Sequence, residues 1–256
     1  MDVPAKPEEV KQEEQVVIHT LLYGNWRFYV DIKQTLLQLE KALANKELRQ
    51  VSRIMKQIKR YKNVIQAHHL ARVFDIVLPC SGIDFSKIPG FNAEFKECFD
   101  MPNNFLSKSA KLAEIEIYLK TMYVSLLYRE KLYGDALQAI KVLLPKINDL
   151  NKRTIDSLNA HLYFFLARIY EKSGSFIDVR EQLLEAYNKA CLRSDEMGQA
   201  TLINLILRNY MAYNNYEAAY NFIDKADFPE NKSINEYCKY LYYTARIKAI
   251  RRDYNE

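Results

Sequence analysis

Residues 174–179 read Gly174-Ser175-Phe176-Ile177-Asp178-Val179: a glycine, an aromatic two positions on, and a branched residue three after that. The aromatic recurs. Tyr133, Phe176, Tyr216 and Tyr254 stand 43, 40 and 38 residues apart. Three positions after the first three of them come Ala136, Val179 and Ala219. Seven after are Ile140, Leu183 and Ile223, and ten after are Leu143, Ala186 and Ala226. Nine before the four aromatics stand Val124, Ala167, Leu207 and Ala245. Small or branched apolar groups at these offsets let two helices approach closely around an aromatic at the turn. The recurrence therefore reads as a helix–turn–helix unit stacked in series. Gly134, Gly174, Asn214 and Asn215 are expected to supply the turn conformations between the helices.

Composition agrees. Gly and Pro number only 6 and 7 among 256 residues, and the commonest residues are good helix formers. Few stretches alternate apolar and polar residues, which argues against a sheet. The pattern resembles tetratricopeptide-type repeats, at spacings longer than the roughly 34 residues of that family. The expected class is all-α: tetratricopeptide-like helix pairs in a right-handed superhelical solenoid over 110–256, with the last unit incomplete. In that unit Leu241, Tyr243 and Ile247 are expected to lack part of their cover.

Upstream of the repeats, 16–78 reads as an N-terminal helical segment. Leu36, Leu39 and Leu43, then Val51, Ile54, Met55 and Ile58, recur at three- and four-residue steps and make apolar stripes. Opposite the second stripe lie Arg49, Arg53, Lys56, Lys59 and Arg60, an ordinary solvated face or a surface for an acidic partner. From 79 to 109 Pro79, Gly82, Pro89, Gly90 and Pro102 punctuate an irregular connection, whose aromatics Phe85, Phe91, Phe95, Phe99 and Phe105 predict packing against something. Residues 1–15 read as a disordered acidic leader, although the whole chain carries a formal +5.

Enzyme chemistry finds no foothold. There is no Gly-rich phosphate loop, GxSxG elbow or HExxH, so no catalytic or cofactor-binding residue is assigned. Cys80, Cys98, Cys191 and Cys238 form no CxxC pair, which argues against a zinc site or a disulfide framework and for free thiols in the cytoplasm and nucleus. His68 and His69 are neighbours and cannot share a helix face, so they read as loop or helix-surface histidines, not a metal site. No run is long and apolar enough to suggest a membrane span.

One positional pattern points to binding. Arg168, Arg208 and Arg246 each stand eight residues before a turn aromatic, and Phe164, Asn204 and Tyr242 lie one helical turn before each. The first unit has Ser125 at that place. By the tetratricopeptide resemblance this side of the first helix lines a concave groove, where three guanidinium groups would hold an acidic extended chain. The alternative is internal pairing, for instance of Arg168 with Glu171.

Two longer stretches carry a second resemblance: Gly198-Gln199-Ala200-Thr201-Leu202-Ile203-Asn204-Leu205-Ile206-Leu207-Arg208-Asn209-Tyr210 and Tyr240-Leu241-Tyr242-Tyr243-Thr244-Ala245-Arg246-Ile247-Lys248-Ala249-Ile250. With Asn151-Lys152-Arg153, Phe228-Pro229-Glu230 and, more weakly, Asp31-Ile32-Lys33-Gln34 and Gln38-Leu39-Glu40-Lys41-Ala42, they resemble the third non-ATPase subunits of the proteasome lid, a PCI family. The resemblance implies a helical-repeat arm, and the expectation is that the family's winged-helix assembly domain is missing from this chain. It implies a scaffold role in ubiquitin-dependent protein degradation. The implied partners are other lid subunits, including a small acidic disordered one, with no small-molecule substrate, nucleic acid or membrane. Two alternatives stay open: a helical-repeat subunit of the COP9 signalosome or an mRNA-export assembly, and nucleic-acid binding through Arg49, Arg53, Lys56 and Arg60.

Overall fold

The computed structural model describes residues 30–61, 67–78, 83, 85–89, 91, 113–150, 152–230 and 233–251. The acidic leader expected at 1–15, most of the 79–109 connection and the Tyr254 anchor lie outside the described residues. The chain divides into two compact units, Met1–Ile115 and Glu116–Glu256. Among the described residues every regular element is helical.

The first unit holds α1 (30–44), α2 (Leu48–Lys56), a single turn α3 (Ile58–Tyr61) and α4 (Ala67–Val77). Its stripes are buried at Leu36, Leu39, Val51, Ile54, Met55 and Ile58, while Leu43 is half-buried beside a buried Ala42. Arg49, Arg53, Lys56 and Arg60 face solvent. The Thr35 and Tyr61 hydroxyls, 3.0 Å apart, join α1 to α3. Of the connection's aromatics, Phe85 is buried and meets Phe74 edge-on at 5.5 Å. His69 departs from the sequence expectation: it is fully buried, with its ring centroid 4.1 Å from that of His68. Burial, and then the charge of His68, push its pKa down to about 3, so it is a neutral core residue at neutral pH.

The second unit contains the repeats: α5 (Ala113–Arg129) with α6 (Tyr133–Leu150), α7 (Asp156–Ser173) with α8 (Arg180–Leu192), α9 (Glu196–Ala212) with α10 (Tyr216–Lys225), and then α11 (Ile234–Arg251). The recurring offsets are the core. Ala136, Val179 and Ala219 are fully buried, and so are Val124 and Leu207, with Ala167 nearly so. The first helices of the units keep a constant length, 17, 18, 17 and 18 residues. The second helices shorten, from 18 to 13 to 10. Helix α9 packs against α7, α8, α10 and α11 and is buried nearly all round, from Gly198 to Tyr210. In α11 the expected loss of cover is uneven. Ile247 is fully buried, Tyr243 half-buried, and Leu241 is 47 % exposed.

The joints follow one geometry. Lys131, Gly174 and Asn214, each two residues before the turn aromatic, adopt left-handed φ values of 63°, 80° and 54°. At Lys131 the N–H bonds back to Tyr128 O and that of Leu132 to Leu127 O, the Schellman pattern that closes a helix C-terminus. Asn214 and Asn215 repeat it on Met211 and Tyr210. Two assignments from sequence change here. Gly134 lies inside α6, and the left-handed position of that joint belongs to Lys131. Asn215 instead caps α10, its side chain accepting from the Ala218 N–H.

A left-handed residue with a Cβ costs about 1 kcal/mol relative to glycine. Lys131→Gly is therefore expected to raise the urea midpoint and Gly174→Ala to lower it, each by about that energy, with unchanged helical circular dichroism.

A candidate docking groove between the repeats

The three arginines sit at equivalent positions of α7, α9 and α11, but only two are drawn together. Arg168 Nη1 donates to Glu171 Oε2 at 2.8 Å. From α9, Arg208 donates through Nη2 to Glu171 Oε1 at 2.7 Å and through Nε to Oε2 at 3.1 Å. Glu171 thus bridges two units, and the internal pairing that the sequence left open extends to both arginines. Arg208 Nη1 also lies 3.5 Å from the Tyr243 hydroxyl of α11. Arg246 is exposed and donates to the hydroxyl of Tyr242 one turn back, at 3.2 Å.

Electrostatics follow from this clasp. Burial by itself would raise the Glu171 carboxyl, but the hydrogen bonds and charges of Arg208 and Arg168 outweigh it and hold the group below the usual carboxylate range. The Glu171 charge sits between two of the three cations, so the three arginines do not form a column of bare like charges.

The residues expected one turn earlier also part company. Phe164 is half-buried and its ring lies nearly parallel to that of His161, with centroids 6.1 Å apart. Tyr242 is 57 % exposed. Asn204 is buried, and its Nδ2 donates to the Glu236 carbonyl at 2.9 Å and carboxylate at 2.8 Å. It clamps α9 to α11. Of the residues expected to line a groove, Arg246 and Tyr242 are the exposed ones, while Arg168 and Arg208 are held by Glu171. Sequence reading missed Glu171 as a bridge and Tyr243 as its neighbour. The equivalents of Glu171 are Met211 and Ala249, so no periodicity marks it.

A second concavity, of about 280 Å³, lies where α7 begins, α8 ends and α9 begins. Its polar lining includes Asn148, Asp156, Asn159, Arg193 and Asp195. Arg193 Nη2 bonds Asp156 Oδ1 at 2.7 Å. Burial and the nearby Asp195 charge nevertheless push the Asp156 pKa up to about 6, against the pull of Arg193 and Arg153. Gly198 makes room for Asp195, since a Cβ there would stand 2.1 Å from its carboxylate oxygen. This is a joint between units. Among the described residues no group of His, Cys, Asp or Glu is arranged to hold a metal ion.

Comparison with known proteins bears on the same helices. A family model described as PSMD3-like, N-terminal TPR repeats, matches residues 26–256. The chain is 31% identical over 236 residues to the probable 26S proteasome non-ATPase regulatory subunit 3 of Drosophila melanogaster, covering 88% of this chain and 46% of that protein. It is 29% identical over 233 residues to the 26S proteasome non-ATPase regulatory subunit 3 homolog A of Arabidopsis thaliana, covering 88% and 48%. Against the probable 26S proteasome regulatory subunit rpn3 of Schizosaccharomyces pombe the identity is 32% over 170 residues, covering 63% and 34%. The chain spans about half the length of the first two of these relatives and about a third of the last.

Two outcomes are expected. Arg208→Ala strips two hydrogen bonds from Glu171 and costs about 1 kcal/mol, moderated by partial exposure, whereas Arg246→Ala costs less than about 0.5 kcal/mol. Urea unfolding of both variants measures this. For Asp156 the folded-state pKa lies above the unfolded one, so the native state takes up the extra proton. Its contribution to stability therefore grows as pH falls from 7.5 through about 6, and Asp156→Asn removes that growth. Glu171 acts oppositely and lower: its contribution is lost as pH falls through its depressed value. Melting temperatures from about pH 2 to about pH 8 separate the two, because the Glu171 loss falls below its ordinary range and the Asp156 gain begins above about 6.

Proposed function

The chain belongs to the PSMD3-like family of N-terminal TPR repeats, and on that footing we propose that it serves as a scaffold of the proteasome regulatory particle lid. The observation that carries this reading is the family match over 26–256, which takes in every described helix. The role is structural. The relatives it matches are named non-ATPase regulatory subunits, and the chain itself is read as non-enzymatic, supporting ubiquitin-dependent degradation through protein–protein contacts in the cytoplasm and nucleus.

Its partners are other lid subunits, among them a small acidic disordered one, and the groove is where an extended acidic segment is held. Arg246 and Tyr242 make the first contact, with Phe164, Arg168 and Arg208 behind them and Asn204 keeping α11 in place. A charge-assisted hydrogen bond to Arg246 is worth about 1–3 kcal/mol once desolvated, and much less while exposed. Arg49, Arg53, Lys56 and Arg60 face solvent, and nucleic-acid binding there stays the second reading.

Affinity purification followed by mass spectrometry tests the assembly. Lid, ATPase-ring and deubiquitinase subunits are expected, and cullin or RNA-export partners in their place would overturn the reading. For the groove, Arg246→Glu is expected to weaken binding of an acidic lid subunit about tenfold while melting temperature holds. Loss of stability with unchanged affinity would instead make the arginines purely structural.

A further inference from the structure

Helix α2 and the turn α3 carry one sign of charge. Between Leu48 and Tyr61 stand five basic residues and no acidic one. Arg49, Arg53, Lys56 and Arg60 recur at steps of four, three and four, which sets them on one face of a helix. The backbone carries that face from α2 into α3. Gln57, between them, keeps right-handed helical φ and ψ of -66° and -18°, and the Arg60 N–H bonds Gln57 O at 2.8 Å. All four side chains are exposed, and none has an ion-pair partner among the described residues. Cations three and four residues apart repel one another. Arg49 also stands in the first turn, where the helix dipole is already positive and no acid offsets it. Such a face favours an anion upon it.

The same chain carries one. Its first fourteen residues hold Asp2, Glu8, Glu9, Glu13 and Glu14 against Lys6 and Lys11. These lie outside the described residues, but the place where they join the fold does not: α1 begins at residue 30. Left-handed Lys46 turns the chain after α1, and the contact of the Thr35 and Tyr61 hydroxyls at 3.0 Å returns the end of α3 to the first turns of α1. The basic stripe therefore runs back along α1, with Arg60 at the end next to the leader's point of attachment. Sixteen residues from Glu14 to α1 reach about 50 Å when extended, well beyond the roughly 22 Å length of α1. The lengths also match. Glu8 to Glu14 spans about 20 Å extended, and Arg49 to Arg60 about 17 Å along the helix.

We infer that the acidic leader folds back onto the α2–α3 stripe as an intramolecular counter-anion and masks it from other polyanions. Tethering favours the leader over any free acidic segment, because a short linker holds it at an effective concentration on the order of millimolar. Each exposed contact is weak and screened by salt, so the leader is a gate that a more highly charged anion displaces. A second copy of the stripe would oppose cation to cation and is disfavoured as the occupant. The inference goes beyond the nucleic-acid reading of this face and does not depend on it.

The test uses the full chain at low salt, free of nucleic acid. Carbodiimide couples a carboxylate to an amine beside it, and mass spectrometry reads the products. A bond within one chain between a leader glutamate and Lys56 is expected, at a yield independent of protein concentration. The yield is expected to fall when Arg49→Gln, Arg53→Gln and Arg60→Gln are combined, since Lys56 remains as acceptor but the stripe is gone. Fluorescence anisotropy with a labelled heparin oligosaccharide reads the masking. A variant with Glu8→Gln, Glu9→Gln, Glu13→Gln and Glu14→Gln is expected to bind it at least about fivefold more tightly than the intact chain. Adding the three arginine substitutions is expected to erase that gain. A gain that survives them is a net-charge effect and overturns the proposal. So does the absence of the leader–Lys56 bond, or a bond formed only between two chains. A labelled single-stranded oligonucleotide in the same anisotropy assay tests nucleic-acid binding separately, because the coupling is read without it.

Discussion

A helix surrounded by other helices has no solvent to satisfy its polar side chains, and each one it carries must find a partner in its neighbours. Helix α9 is in that position, and it carries Asn204 and Asn209 in its buried set. Asn209 accepts from Arg180 Nε at 2.7 Å and donates to the Phe176 carbonyl, fixing α9 to the turn and start of α8. Asn204 does the corresponding work toward α11 through Glu236. Apolar packing alone would tolerate small rotations of one helix on another. Two amides with buried, directional partners do not, and they set the angle at which successive units meet.

The arginine cluster inherits its layout from that setting. Arg180, held by Asn209, lies over the rings of Tyr210 and Tyr213 at 4.9 and 5.6 Å, and the Tyr213 hydroxyl accepts from the Ile177 N–H at 2.9 Å. With α9 fixed to α8 in this way, Arg208 on its partly open side is brought to Glu171 of α7. The partial exposure of all three groups keeps the clasp modest in energy. Its effect is positional. It occupies two of the three arginines and leaves Arg246, bonded to Tyr242, as the exposed one.

The architecture was legible because its determinants repeat. Ala136, Val179 and Ala219 occupy one offset and are all buried, and the same holds for Leu143, Ala186 and Ala226. What did not repeat was not legible. Glu171 has no carboxylate counterpart in the other units, and its contact with Arg208 spans 37 residues. Asn204 shares an offset with Phe164 and Tyr242 and looks like a groove residue until Glu236, a carboxylate 32 residues away, is found beneath it. Glycine misled at Gly134, because Lys131 accepts the left-handed conformation and the Schellman hydrogen bonds hold it there. His69 was misjudged for a related reason: neutral imidazole is tolerated in a core, and nothing in the adjacent pair reveals which member turns inward.

The unequal helix lengths have a bearing on how such a chain tolerates change. First helices hold to 17 or 18 residues, while second helices fall from 18 to 10. A first helix such as α9 meets both the unit before and the unit after, so adding or removing a residue would rotate one set of contacts by about 100° against the other. A second helix such as α10 meets fewer neighbours, and the stretch from Ala226 to Ser233 that follows it has no regular structure among its described residues. A flexible tether spliced into that stretch disturbs the stack less than one inside a first helix, provided that buried Ala226 and Phe228, stacked on Tyr240 at 4.3 Å, are kept.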